Sequence, residues 1–158
     1  MQKKVTPCLW FDTQAEEAAR FYVSVFPDAR LGKITHYTGA GPAPAGAVMT
    51  VTFHLQGQEF MALNGGPHFK HSPAVSFVIH CDTQAELDAL WEALPAGGGA
   101  PGQCGWVEDR FGVSWQLVPS TLDRLIDDAE PERSRRVMEA VLQMRKLDLA
   151  ALERAWAG

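Results

Sequence analysis

The pentapeptide Asp12-Thr13-Gln14-Ala15-Glu16 recurs letter for letter as Asp82-Thr83-Gln84-Ala85-Glu86, 82 − 12 = 70 residues further along a chain of 158. A self-match of this kind constrains architecture before any local reading does, because it asks for two copies of one structural unit. Each copy follows a short β-type run, Cys8-Leu9-Trp10-Phe11 or Val75-Ser76-Phe77-Val78-Ile79, and opens a helix-type segment. In each, Thr-x-x-Glu spells a capping box, with the Thr hydroxyl accepting from the amide three residues on and the Glu reaching back to the Thr amide.

The segments between the copies extend the repeat. Residues 5 to 11 read as a buried strand. A helix follows, carrying Ala15, Ala18, Ala19, Phe21, Tyr22 and Val25 up to Pro27. Leu31 to Tyr37 suits a second strand, and the Gly- and Pro-rich stretch from Thr38 to Gly46 reads as a loop. From Val48 the chain alternates, with Met49, Val51, Phe53 and Leu55 on one face and Thr50, Thr52 and His54 on the other. Gln56-Gly57-Gln58 turns it into a partner strand, 59 to 63. The second half starts the same programme: strand 75 to 80, a helix with Leu87, Leu90 and Leu94, the Gly97-Gly98-Gly99 loop, and strands 104 to 107 and 113 to 118. Aligning Gly57 with Gly112, a displacement of 112 − 57 = 55, sets Phe60 against Trp115 and Leu63 against Val118. The chain is thus an α+β protein of two βαβββ modules, 5–64 and 72–119, with a helical extension over 120–158, all in one domain. In that extension Pro131 suits a helix start. Val137, Met138, Val141 and Leu142 form an apolar stripe for packing or dimer contact, and Asp148 caps a last helix.

Bulk properties narrow the partners. A net charge of −5 with no concentrated Lys/Arg window argues against nucleic acid. No apolar run spans a bilayer and no signal peptide is found, so the expectation is a cytoplasmic protein with no membrane partner. Cys8, Cys81 and Cys104 make no metal-type pair spacing, which fits a reducing compartment.

The two βαβββ units, with "CLWFD", "EEAARFY", "LNGGP", "CGWVEDRFGVSWQLVP" and "LQMRKLDLAALERA", resemble the vicinal oxygen chelate superfamily of glyoxalases, bleomycin-resistance proteins and extradiol dioxygenases. More narrowly they resemble its PhnB-like branch, labelled the 3-demethylubiquinone-9 3-methyltransferase domain. The resemblance implies modules that curve a mixed sheet around a concave pocket, and a homodimer. It also implies a divalent metal held by side chains from a first-strand and a last-strand position in each module. Carried through the internal repeat, those positions are Thr6, Ser76, Met61 and Gln116, or Pro7 and Ala62 if the register slips by one. Only Gln116 is a plausible ligand there, so no metal and no cofactor is expected.

If Thr6 and Ser76 face the pocket, alternation places Cys8, Trp10, Val78 and His80 on the same face, with Leu9, Phe11, Phe77 and Ile79 under the helices. Trp10, His54, Ser76, His80 and Gln116 are therefore the candidate ligand-binding residues, for an unidentified small molecule. His54 and His80 have the chemistry of a general base, although a hydrogen-bonded structural role competes. His68 and His71 read as surface residues, Cys104 as structural, Asp109-Arg110 as a turn stabiliser and Asn64-Gly65 as a left-handed turn. A Rossmann cofactor turn is not found, since Gly97 to Gly102 follows a helix and contains Pro101. The expected function is a small-molecule-binding protein of the superfamily without the usual metal site. The alternative is a PhnB-like enzyme: a metal-dependent lyase, isomerase or dioxygenase, or the methyltransferase of the branch label.

Overall fold

The run ahead of the first pentapeptide forms strand β1 (Cys8–Phe11), and helix α1 (Ala15–Val25) follows it. A computed structural model describes residues 5–158, which divide into two units, the first closing at His71 and the second opening at Ser72. The first unit continues with β2 (Ala29–His36), β3 (Val48–Leu55) and β4 (Gln58–Asn64). Its strands lie in the order β1-β4-β3-β2, with β1 parallel to β4 and the other pairs antiparallel. The sheet is open, with β1 and β2 on its edges.

Leu9, Phe11, Val51, Phe53, Phe60 and Ala62 point to one face of this sheet and are buried there. α1 covers them with Ala15, Ala18, Ala19 and Tyr22, all fully buried. Three alanines on one stripe let the helix approach closely, and Tyr22 stacks on Phe53 at 5.7 Å, which in turn stacks on Phe60 at 5.3 Å. Between β3 and β4, Gln56 and Gly57 both have positive φ, 47° and 81°. A two-residue turn of that kind fixes the hairpin register, pairing Leu55 with Gln58 and His54 with Glu59.

The second unit repeats the plan with β5 (Ser76–Cys81), α2 (Gln84–Ala93), β6 (Ala100–Pro101), β7 (Trp106–Glu108) and β8 (Ser114–Pro119), ordered β5-β8-β7-β6. The short strand β6, directly after the Gly97-Gly98-Gly99 loop, was not expected from sequence, because two residues of Ala-Pro carry no periodicity to read. The repeat holds at residue level. Cys8 pairs with Met61 and Val78 with Gln116, so partners 70 apart on the first strands match partners 55 apart on the last. Phe60 and Trp115, the aligned pair, are both buried.

The two pentapeptides fold differently. Thr83 caps α2 as expected, its Oγ1 accepting from Glu86 N–H at 3.1 Å, while the Glu86 carboxylate accepts from the Asp82 amide at 2.9 Å. In the first copy Gln14 is the N-cap residue and no local side chain caps α1. Asn64, at the end of β4, does so instead, its Oδ1 accepting from Ala15 N–H at 2.8 Å. The capping box expected at Thr13 is therefore replaced by a tertiary cap. The equivalent position in the second unit is Pro119, which has no side-chain acceptor, so the box there is needed.

Helices α3 (Leu122–Ile126), α4 (Pro131–Gln143) and α5 (Leu149–Ala157) complete the second unit. Pro131 stands in the first turn of α4, and Asp148 caps α5 by accepting from Ala151 N–H at 2.7 Å. The stripe on α4 splits. Val137 and Val141 are buried, whereas Met138 and Leu142 are 40% and 62% exposed. Gln84 of the second pentapeptide holds this extension to its module, accepting from Leu149 N–H at 2.8 Å and donating to Leu147 C=O at 3.1 Å.

Candidate functional site

On the uncovered face of the first sheet, the register produces three cross-strand rows. Trp10, Leu63 and Thr50 form the first, and Thr50 is joined to Thr35 on β2 by a hydroxyl–hydroxyl bond of 2.6 Å. Cys8, Met61 and Thr52 form the second. The third holds His54 and Glu59, with Arg30 beside His54 on β2. All but Cys8 and Arg30 are half-buried.

The third row carries most of the polarity. His54 Nε2 lies 3.3 Å from Glu59 Oε2, and the Thr6 hydroxyl donates to Glu59 Oε1 at 3.4 Å. The other imidazole nitrogen, Nδ1, is buried without a hydrogen-bond partner among the described residues. A buried nitrogen in that state costs about 1–3 kcal/mol unless something else satisfies it. Glu59 was not singled out from sequence. The signal was present, since a two-residue turn at Gln56-Gly57 sets residue 59 opposite 54 by counting.

Trp10 belongs to the opposite end of this face. Four residues of β3 separate Thr50 from His54, about 13 Å at the strand rise. Its indole N–H donates to Gly66 C=O at 2.9 Å, and its ring meets Phe69 edge-on at 5.0 Å. It also lies so close over Gly65 that a Cβ there would stand 2.2 Å from the ring. Gly65 is thus required by this approach and not by a left-handed turn: its φ is not positive, Asn64 ends β4, and Gly66 has φ 93°. His71, read from sequence as a surface residue, is half-buried 5.3 Å from the Phe11 ring, whereas His68 is exposed.

In the second unit, Gln116 Nε2 donates to Ser76 Oγ at 2.8 Å, joining two of the expected residues. His80 lies further along the edge strand β5, paired with Val118 and exposed, away from that bond. Asp109 is buried and serves its turn, accepting from Phe111 N–H and Val113 N–H and from the Trp115 indole at 2.9 Å. Burial pushes the Cys81 thiol up to about 12, with Glu86 and Asp82 adding to the effect, and desolvation also raises Cys8. Among the described residues no three His, Cys, Asp or Glu side chains come together to hold a metal ion. None of the helices described is long and apolar enough to cross a membrane.

One concavity of the first unit escaped the sequence reading. A cleft of about 340 Å³ opens where β1 and β4 leave the sheet. It lies against the start of α1 (Asp12, Glu16), the loop after β2 (Pro42, Ala43) and the turn after β4 (Asn64, Gly66). Trp10 does not line it but fastens its wall through Gly66.

Comparison with known proteins accords with this architecture. The family model described as 3-demethylubiquinone-9 3-methyltransferase matches residues 3–118, so the C-terminal extension lies beyond it. A search of curated proteins finds no match. Among solved structures, the chain is similar to a putative 3-demethylubiquinone-9 3-methyltransferase, PhnB protein, from Bacillus cereus. That similarity is 36% identity, covering 74% of this chain and 99% of that one, with a TM-score of 0.66. Protein PA1353 from Pseudomonas aeruginosa is 23% identical over 75% of this chain and 98% of that one, TM-score 0.60, which supports the fold alone. Two βαβββ modules in the same register, and a match over both, mean that this chain belongs to the PhnB-like 3-demethylubiquinone-9 3-methyltransferase family of the vicinal oxygen chelate superfamily.

Proposed function

We propose that this chain is a small-molecule-binding protein that works without the metal site of its superfamily. In this reading the ligand-binding groups are taken module by module: His54 and Trp10 on the uncovered face of the first sheet, and Ser76, His80 and Gln116 in the second module. The carrying observation is the buried Nδ1 of His54 with no partner among the described residues, on an imidazole oriented by Glu59. A ligand N–H or O–H reaching that nitrogen recovers the hydrogen bond it lacks.

The metal-position residues support the same reading. Thr6, Met61, Ser76 and Gln116 supply one amide, two hydroxyls and a thioether, and the Gln116 amide is already bonded to Ser76. A catalytic divalent ion takes about three ligands of the His, Asp, Glu or Cys kind, so these residues do not fit one. Cytoplasmic residence and a homodimer belong to the same reading, the latter supported by Met138 and Leu142 exposed one helical turn apart on α4. The transferase reading finds no strand-to-helix glycine turn to hold a nucleotide-type cofactor, since the Gly97–Gly99 stretch follows α2 and leads into β6.

The test is a thermal-shift screen of a small-metabolite library on chelator-treated protein, with elemental analysis of protein purified without chelator. Stabilising compounds are expected to act in the presence of chelator and to lose their effect in His54→Leu. One equivalent of transition metal per chain would overturn the metal-free reading. Compounds that stabilise His54→Leu as well as the parent would remove His54 from the site.

A further inference from the structure

We infer that the cleft at the start of α1 is a binding site for a compact organic cation, a primary or secondary ammonium group on a small apolar body. The site is separate from the sheet faces described above and rests on the first unit alone.

The walls are built rather than incidental. Asn64 ties three segments together at the cleft: it accepts from Ala15 N–H at the start of α1, donates to Val48 C=O at 3.1 Å, and its own C=O accepts from the Tyr37 hydroxyl. The loop after β2 is closed at its neck, where Tyr37 N–H donates to Ala47 C=O and Gly46 N–H to Tyr37 C=O, each at 2.8 Å. On the far side Trp10 holds Gly66. A cavity whose rim is fixed by hydrogen bonds on three sides does not have to be formed by its ligand.

The lining then specifies the occupant. Pro42, Ala43, Val48 and Pro67 make the body of the wall apolar, and the charged side chains on it are two carboxylates, Asp12 and Glu16. Among the described residues no basic side chain lines the cleft. Glu16 is balanced by Arg20 at 2.7 Å on the helix surface, whereas the Asp12 carboxylate has no hydrogen bond or ion pair among the described residues. An anionic ligand would face two carboxylates. A neutral one would leave Asp12 partly desolvated without a partner. An ammonium group gives Asp12 a charge-assisted hydrogen bond while its hydrocarbon covers the prolines. The volume falls at the lower end of small-ligand sites, which suits a molecule of this size.

The experiment uses three probes of one shape and different charge: 2-phenylethylammonium, 3-phenylpropionate and 2-phenylethanol. Each is titrated into the full chain while backbone amide shifts are followed. The ammonium is expected to give saturating shifts confined to residues 12–16, 42–48 and 64–67, with the other two at least about tenfold weaker. Asp12→Asn, whose side chain makes no bond among the described residues, is expected to weaken the ammonium by about tenfold with an otherwise unchanged spectrum. Equal binding of ammonium and carboxylate, no saturation by about 10 mM, or an Asp12→Asn affinity equal to the parent's would each overturn the assignment. So would shifts at residues 8–10 and 50–54, an outcome that leaves the sheet-face reading standing and so separates the two.

Discussion

Thr13 and Thr83 occupy the same place in identical pentapeptides, and the structure assigns them different energetic weights. Thr83 accepts the Glu86 amide and caps α2, so Thr83→Ala is expected to cost about 1 kcal/mol. Thr13 caps nothing, and Thr13→Ala is expected to stay within about 0.5 kcal/mol, the range of a surface change. The missing cost reappears at Asn64. Asn64→Ala removes the bonds from Ala15 N–H at 2.8 Å and to Val48 C=O at 3.1 Å, and it strands the amide of a residue with no exposed surface. Two bonds at about 1 kcal/mol net, plus part of the penalty for an orphaned donor, give about 2–3 kcal/mol. Urea unfolding followed by circular dichroism measures all three. Trp10 is the one tryptophan of the first unit, so its own signal in fluorine NMR of fluorotryptophan-labelled protein reports that unit separately in case the two do not unfold together. If Thr13→Ala cost as much as Thr83→Ala, or Asn64→Ala cost less than about 0.5 kcal/mol, the tertiary cap would be refuted.

Asp109→Ala leaves the Trp115 indole and two backbone amides without their acceptor in a buried turn, and a loss of about 3–5 kcal/mol is expected by denaturant titration. Gly65→Ala drives a methyl into the Trp10 ring, so the indole must leave Gly66; a red-shifted Trp10 emission in a variant that keeps only Trp10 would register it. Cys81 carries a folded-state pKa raised from 9.0 to about 12. The stability it contributes is therefore complete below pH 9 and is lost as pH rises from 9 towards 12, because the unfolded thiol ionises first. Cys81→Ala should flatten that alkaline slope, and native Cys81 should resist iodoacetamide at pH 8 until the protein is unfolded. Asp128 has its carboxyl held below the usual range, first by the Glu130 amide and then by the Trp156 indole and nearby arginines. Its bond to Trp156 on α5 should be lost as pH falls below 3.8, read as a shift of the Trp156 indole N–H resonance.

Much of the fold could be read from the order of the residues, and the reason is periodicity. Period-two alternation from Val48 to Leu55 put Val51 and Phe53 in the core and Thr50, Thr52 and His54 on the other face. The 70- and 55-residue displacements between the copies located Met61 and Gln116 as equivalent strand positions, and the observed registers agree. These are local or self-referential signals, carried by side-chain spacing alone. The strand β6 was not legible because two residues have no period.

Tertiary structure decided what each polar side chain meets. Identical pentapeptides diverged because their strand partners end differently, Asn64 in one unit and Pro119 in the other, and only the first can supply an oxygen to a helix amide. Trp10, singled out as a ligand contact, bonds its indole to a loop 56 residues away. His54 acquired Glu59 across a hairpin while its second nitrogen was left unpaired. The cleft beside Asp12 exists because three segments distant in sequence are joined at Asn64. Hydrogen-bond partners and cavities depend on which chain segments converge in space, and alternation along one strand does not record that convergence.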